Sequence, residues 1–313
     1  MLMRAVTLQD VPGPLGLAEV EVPRPAADEL LVHVTASSVN GFDAATAAGY
    51  LRQVMEHRFP LIPGKDFAGT VAAVGADVAD FSTGDAVFGV VMKPVLGTGS
   101  LAEYVTVPAA YGVALVPGGI SLADAGALGL AGTAALDSVD ALDLDKGESV
   151  LVCGATGGVG AFAVQMAAAR GARVLATARP GAEADFVRGL TDAAVELVDY
   201  TEDLAEQVRG YCRDGLDAAL HLAGDGTQLL GLLRPGGRLA STLGFGPQSV
   251  AGHDVTAVSV IADPTPRTLT RLAADAAAGT IRVPVTATYA LEDAARAFAA
   301  FGPGALGKLA IAI

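Results

Sequence analysis

The segment Val150-Leu151-Val152-Cys153-Gly154-Ala155-Thr156-Gly157-Gly158-Val159-Gly160 constrains this chain more than any other. A short aliphatic run leads straight into a glycine-rich turn. An apolar helix is expected behind it, from Val159 to Arg170, with Gly171 as its stop. Ala155, Gly157 and Gly160 fall at the spacing of G-x-G-x-x-G, with Ala in the first place. Small residues are needed there because the turn is tight, the backbone must approach a pyrophosphate closely, and the helix must pack on its strand. The helix N-terminus then offers free N–H groups and a partial positive charge to that anion. The segment predicts a strand–turn–helix unit that binds a dinucleotide, with Thr156, Gly158 and Val159 completing the turn.

A second strand, Arg173-Val174-Leu175-Ala176-Thr177, ends about twenty residues later, where an NAD site places Asp or Glu on the ribose diol. Here the chain reads Thr177-Ala178-Arg179. A carboxylate would repel a 2′-phosphate, whereas a guanidinium grips it through two parallel hydrogen bonds. The expected cofactor is therefore NADPH. The competing reading leaves Arg179 solvated in a loop, since Pro180-Gly181 marks a turn.

At 313 residues the chain has room for two domains and a sizeable core. With 52% hydrophobic residues, only 5% aromatics and no Trp, that core must be built from Ala, Val and Leu. A net charge of −14 argues against nucleic acid or anionic membrane as partners. It also means that an anionic cofactor must be drawn in by local groups. The two cysteines, Cys153 and Cys212, suit a reduced cytoplasmic protein, with Cys153 expected as an inert core residue. Residues 1–10 read as a strand rather than a leader, and no apolar run is long enough to span a membrane.

The first third is strand-rich, with Glu29 to Ala36, Phe67 to Val74, Asp85 to Val91 and Ala102 to Val107 separated by Gly, Pro and Asp. From Ser121 helices alternate with short apolar strands: Val150 to Cys153, Arg173 to Thr177, Val195 to Val198, Ala218 to Leu222 and Arg238 to Thr242. Such alternation calls for a parallel sheet covered on both faces. A boundary falls near Val116-Pro117-Gly118. A strand Ala257 to Ala262 precedes a helix from Pro266 to Ala278, capped by Thr265. The tail holds a strand Val283 to Thr288, a helix Leu291 to Phe301 and a final strand Lys308 to Ile313. If that last strand returns to the first domain, the domain is discontinuous.

Several segments in order resemble the zinc-independent quinone oxidoreductase branch of the medium-chain dehydrogenase/reductase superfamily. They are Ala36-Ser37-Ser38-Val39-Asn40, Ala48-Gly49-Tyr50, Phe59 to Gly69, Gly154 to Gly160, Val198-Asp199-Tyr200, Leu233 to Arg238 and Gly307-Lys308. The resemblance implies an α/β protein, with a GroES-like β-rich catalytic domain from residues 1–117 and 266–313 and a Rossmann doubly wound domain from 118–265. It further implies NADPH, a homodimer through the edge strand Ala257 to Ala262, Asn40 and Tyr50 at the nicotinamide, Tyr200 by the 2′-phosphate, and Leu243-Gly244-Phe245 at the nicotinamide end.

Departures from that family's patterns matter as well. Zinc-dependent relatives carry a Cys near Asn40-Gly41 and a His-Glu pair where this chain has Lys65-Asp66. The scattered histidines His33, His57, His221 and His253 show no ligand spacing, so no metal is expected. Lys65 and Asp66 are expected as a strand-entry ion pair or, alternatively, as catalytic groups. Thr133 stands one place from the threonine usual in relatives, and is kept as a cofactor contact. His221 ends a strand where an Asp is usual. It is read either as a cofactor or substrate contact or as a hydrogen-bonded strand-end histidine. His57 is expected in an exposed polar loop.

Without a zinc ligand set, there is no Lewis acid to polarise an alcohol or ketone. The chemistry left is hydride transfer to an acceptor that stabilises negative charge itself, a quinone or an enone. Tyr50 would orient or protonate the acceptor oxygen, or only pack over it. Asn40 would hold the ribose or acceptor, or serve only as a loop cap. An enoyl reductase acting on 2-enoyl thioesters or enones is the alternative enzyme. An NADPH-binding sensor or structural protein is the alternative of another class.

Overall fold

The computed structural model describes residues 1–302 and 304–313. The chain divides into two compact units. One comprises Ala134–Asp263 with Gly279–Pro284, and the other Met1–Thr133 with Pro264–Ala278 and Val285–Ile313.

In the unit containing the glycine-rich segment, six strands among the described residues form one parallel sheet. Their order is Val195–Val198, Arg173–Thr177, Ser149–Cys153, Leu216–His221, Leu233–Ser241 and Val255–Ser259. All run parallel, but chain order proceeds outward from Ser149–Cys153 to one edge and from Leu216–His221 to the other. The reversal leaves a crevice at the carboxyl ends of Ser149–Cys153 and Leu216–His221, where ligands bind in doubly wound folds. Leu151, Leu175, Ala219 and Leu239 from four adjacent strands share one buried cluster with Leu229 and Leu216. The helix Gly158–Ala169 is apolar but for Gln165, whose amide is hydrogen-bonded to Arg282, and Gly160 through Ala167 are buried, as suits a helix covering a sheet inside a domain.

The other unit is built on a mostly antiparallel sheet in the order Val285–Ala290, Lys308–Ala312, Glu29–Val39, Asp66–Val74, Ala86–Val90 and Val113–Leu115; Tyr104–Pro108 also pairs with Glu29–Val39. Alternate residues Leu30, Val32 and Val34 point into a core with Phe67, Val71 and Val87. The last strand does return: Leu309 lies opposite Val39 and Ala312 opposite Ala36. This unit runs on to Thr133, past the boundary expected near Val116. The helix Leu122–Ala125, capped by Ser121, packs against Glu29–Val39, so closely that a Cβ on Gly126 would lie 2.7 Å from Ala36 Cβ.

Three local expectations are corrected. The helix expected from Leu291 to Phe301 is a 3₁₀ turn, Leu291–Asp293, followed by Ala294–Phe301. The strand expected from Arg238 starts at Leu233 and runs through Pro235, with a register break opposite Leu216 to Ala218. His57 lies in the strand Glu56–Ile62, paired with Leu96, and is half-buried rather than in an exposed loop. Among the described residues no helix is long and apolar enough to cross a membrane.

Candidate functional site

The strand Ser149–Cys153 delivers the chain into Gly154, whose φ of 89° suits glycine. A hydroxyl from the neighbouring strand braces the turn: Thr177 Oγ1 accepts the Gly154 N–H at 2.8 Å and donates to the Val152 carbonyl at 3.3 Å. Ala155 is fully buried beneath the turn. Gly157 is the N-cap of Gly158–Ala169 and has no side chain to cap it, which leaves first-turn N–H groups of Gly158, Val159 and Gly160 for an anion. A Cβ on Gly160 would lie 2.1 Å from the Gly154 carbonyl oxygen, so this close packing of helix on turn admits only glycine. Beside the turn opens a cavity of about 580 Å³, lined by Cys153, Gly154, Thr156, Tyr200, Asp203 and Asp225 among others. A glycine cradle, a helix N-terminus and a cavity at the strand reversal fit the adenosine and pyrophosphate part of a dinucleotide. Cys153 is thus a half-buried residue on the cavity wall rather than an inert core residue. Its thiol donates to the Ala223 carbonyl, and burial pushes its pKa up.

Arg179 follows the strand Arg173–Thr177 by two residues, and Ala178 between them is buried. The guanidinium is not left to solvent. Its Nε and Nη2 donate to Glu183 Oε1 at 2.8 and 2.5 Å, and its backbone N–H donates to Oε2 at 2.8 Å. Tyr200 donates its hydroxyl to Glu183 Oε1 at 3.1 Å and sets its ring 5.7 Å from the guanidinium carbon. Burial works to raise the Glu183 pKa, but the Arg179 and Tyr200 donors outweigh it and hold the carboxyl below its ordinary value. Sequence reasoning did not single out Glu183. The available signal was its place four residues after Arg179, in the first turn of the helix Ala182–Arg188.

His221 takes the hydrogen-bonded strand-end arrangement, one of its two expected readings. Its Nε2 lies 3.1 Å from the Gly224 carbonyl, which only accepts, so Nε2 carries the proton. Its Nδ1 lies 2.9 Å from Ser241 Oγ, and that hydroxyl also accepts the N–H groups of Leu243 and Phe245. The Ser241 proton therefore goes to Nδ1, so that Nδ1 supports the 243–245 loop through Ser241 while Nε2 holds the loop at Gly224. Phe245 packs edge-on to the imidazole at 5.7 Å, Gly244 takes a φ of 78°, and Leu243 stands exposed.

In the other unit Asn40, one of the two residues expected at a reaction centre, lies in a buried polar knot. Asp66 is fully buried and accepts four donors: Ser38 Oγ, Asn40 Nδ2 at 2.9 Å, Lys308 Nζ at 3.2 Å and the Leu130 N–H at 2.6 Å. Asn40 also accepts from Lys308 Nζ at 2.5 Å through its Oδ1. Its amide is thereby engaged inside the protein, between Asp66 and Lys308. Lys65 and Asp66 are not an ion pair; the cation on Asp66 is Lys308, from the other end of the chain. Lys65 instead donates to the Val91 carbonyl at 2.6 Å and lies 4.6 Å from the Phe42 ring centre, its pKa pushed down by burial against the pull of Asp43 and Asp66. Asp43 accepts the N–H groups of Asn40 and Gly64, yet burial and the neighbouring Asp66 push its pKa up to about 7. Tyr50 stands apart from the knot, 80% exposed. Thr133 is buried with no partner for its hydroxyl among the described residues. Among the described residues no three His, Cys, Asp or Glu side chains converge as a metal site, and the charge facing Asp66 is an ammonium.

Comparison with known proteins agrees with this architecture. Residues 26–118 match the family described as alcohol dehydrogenase GroES-like domain, and residues 193–311 match the family described as zinc-binding dehydrogenase. The chain is 32% identical to the quinone oxidoreductase of Lama guanicoe, over 99% of this chain and 97% of that protein. It is 40% identical to a chloroplastic quinone-oxidoreductase homolog of Spinacia oleracea over 58% of this chain, a match that spans 55% of the spinach protein. The quinone oxidoreductase of Pseudomonas syringae superposes over 100% of both chains, with a TM-score of 0.87 at 25% identity.

Proposed function

The chain belongs to the quinone oxidoreductase branch of the medium-chain dehydrogenase/reductase superfamily, a quinone-oxidoreductase-like NAD(P)H-dependent reductase, and from that premise we propose that it transfers hydride from NADPH to a small quinone. The observation that carries the reading is the glycine cradle of Gly154 to Gly160 opening onto the cavity at the strand reversal. Arg179 and Tyr200 are the residues we assign to the 2′-phosphate, and Thr156 with the first-turn N–H groups to the pyrophosphate. Thr177 acts one step back, by bracing the turn. Leu243, Gly244 and Phe245, on the loop held by His221 and Ser241, are assigned to the nicotinamide end.

The nicotinamide supplies the hydride when bound. What this chain contributes is orientation, exclusion of water and a polar group for the acceptor oxygen. Tyr50 is the phenol we assign to that oxygen. A quinone needs no stronger electrophile, because hydride transfer gives a stabilised aromatic hydroquinone monoanion, which takes one proton from solvent. A carrier-tethered thioester would call for a basic patch at its phosphate. Arg52 is paired with Asp10 and Arg58 with Glu56, while Lys65 is buried, which favours a free small acceptor. Val258 and Ile261 are exposed on and just beyond the edge strand Val255–Ser259, in support of a homodimer through that edge. The two free cysteines support a reducing, cytoplasmic setting.

The test follows NADPH absorbance against 1,2- and 1,4-quinones, simple enones and crotonyl thioester, with NADH in parallel. Quinones are expected to be turned over fastest. Preference for the thioester or enone would make the protein an enoyl reductase. Tight NADPH binding with no acceptor consumed would make it a sensor.

A further inference from the structure

We propose that Glu183 sets the choice between NADPH and NADH, by holding Arg179 in an internal ion pair that a 2′-phosphate must break. The inference rests on the reading of Arg179 as the 2′-phosphate residue and adds a second, opposing group to it. The Nε and Nη2 donors form the fork with which a guanidinium grips an oxyanion, and Glu183 already fills it. An ordinary exposed i,i+4 ion pair holds weakly. This one differs, because four donors converge on a carboxylate whose side chain is only 13% exposed, while Arg179 is 58% exposed. The carboxylate is the fixed, inner member of the pair and the guanidinium the outer, movable one.

Charge then decides the outcome. Arg179 and Glu183 sum to zero, so a 2′-phosphate of about −1.5 to −2 meets a neutral pair rather than a cation. It must draw the guanidinium away from Glu183 while the carboxylate repels it. A ribose 2′-hydroxyl has the opposite experience, since it can donate to the carboxylate without disturbing Arg179. The acid missing from the end of the strand Arg173–Thr177 is thus returned to the same neighbourhood from the first turn of the next helix. Tyr200 links the pair to the cofactor cavity, because it donates to Glu183 and also lines the space beside Gly154 and Thr156. The arrangement accepts both nucleotides and prefers NADPH narrowly.

Equilibrium binding of 2′,5′-ADP and 5′-AMP to the full-length protein tests this without turnover, using the parent, Glu183→Gln and Arg179→Gln. The parent should bind the two nucleotides within about tenfold of each other. Glu183→Gln should tighten 2′,5′-ADP about tenfold and should not tighten 5′-AMP. Glu183→Gln with unchanged or weaker 2′,5′-ADP binding, while Arg179→Gln loses it, would overturn the role of Glu183 and leave the NADPH reading standing. An Arg179→Gln variant that binds 2′,5′-ADP as the parent does would overturn the NADPH reading itself. Retained 5′-AMP binding reports that each variant is folded. A parent that discriminates a thousandfold between the two nucleotides overturns the proposal with no variant at all.

Discussion

Asp43 shows how one buried carboxyl ties pH to stability. It is 2% exposed, and burial with the adjacent Asp66 raises its pKa from 3.8 to about 7, against the pull of the Asn40 N–H, Lys308 and Lys65. The folded protein therefore keeps a proton that the unfolded chain releases above about pH 4. The stability that this proton contributes is complete below about pH 4 and is lost as the pH rises to about 7. The loss is on the order of 1.4 kcal/mol for each tenfold difference in proton affinity between the folded and unfolded chain. Asp43→Asn should flatten that slope: melting temperatures measured from pH 4.5 to 7.5 should fall less in the variant than in the parent. Equal slopes would mean that Asp43 is ionised throughout. At this scale local geometry was legible in the sequence and remote partners were not. The glycines of the cradle are fixed by their own spacing. Lys65 beside Asp66 suggested a pair, but the Lys65 ammonium is turned to the Val91 carbonyl and the Phe42 ring, and the groups that engage the Asn40 amide lie elsewhere in the chain.

Two elements do most to build the candidate sites. The strand Ser149–Cys153 and the helix Gly158–Ala169 meet through Gly160, and this junction was legible because strand, turn and helix are contiguous. The strand Lys308–Ala312 is the opposite case. A return to the first domain was anticipated, yet the task of Lys308 was not, because its partner Asp66 lies 242 residues away. Lys308 is 2% exposed, and without it Asp66 is left as a buried, unpaired carboxylate. Lys308→Met should lower stability by about 3–5 kcal/mol, read as a drop in the urea midpoint. A midpoint unchanged from the parent would show that Ser38, Asn40 and the Leu130 N–H suffice for Asp66.

For the whole molecule, alternation of helices and strands after Ser121 was enough to predict a parallel doubly wound sheet, and the strand order realises it. Less was readable in the β-rich unit. Its short strands Glu56–Ile62 and Val95–Thr98 have partly exposed faces and lack a clean alternation. Their pairing comes from neighbours rather than from their own pattern. The cofactor preference lies between these cases: Arg179 was visible in sequence, but Glu183, which occupies it, emerged only in three dimensions. The central claim is that the glycine cradle holds a dinucleotide whose hydride reduces a quinone. The most direct measurement is an anaerobic single turnover, mixing protein-bound NADPH with one equivalent of an ortho-quinone and following absorbance, with Gly160→Ala alongside. One NADPH should be oxidised per quinone in the parent, and Gly160→Ala should lose NADPH binding. NADPH that stays bound and unoxidised, or a Gly160→Ala variant that reacts like the parent, would contradict it.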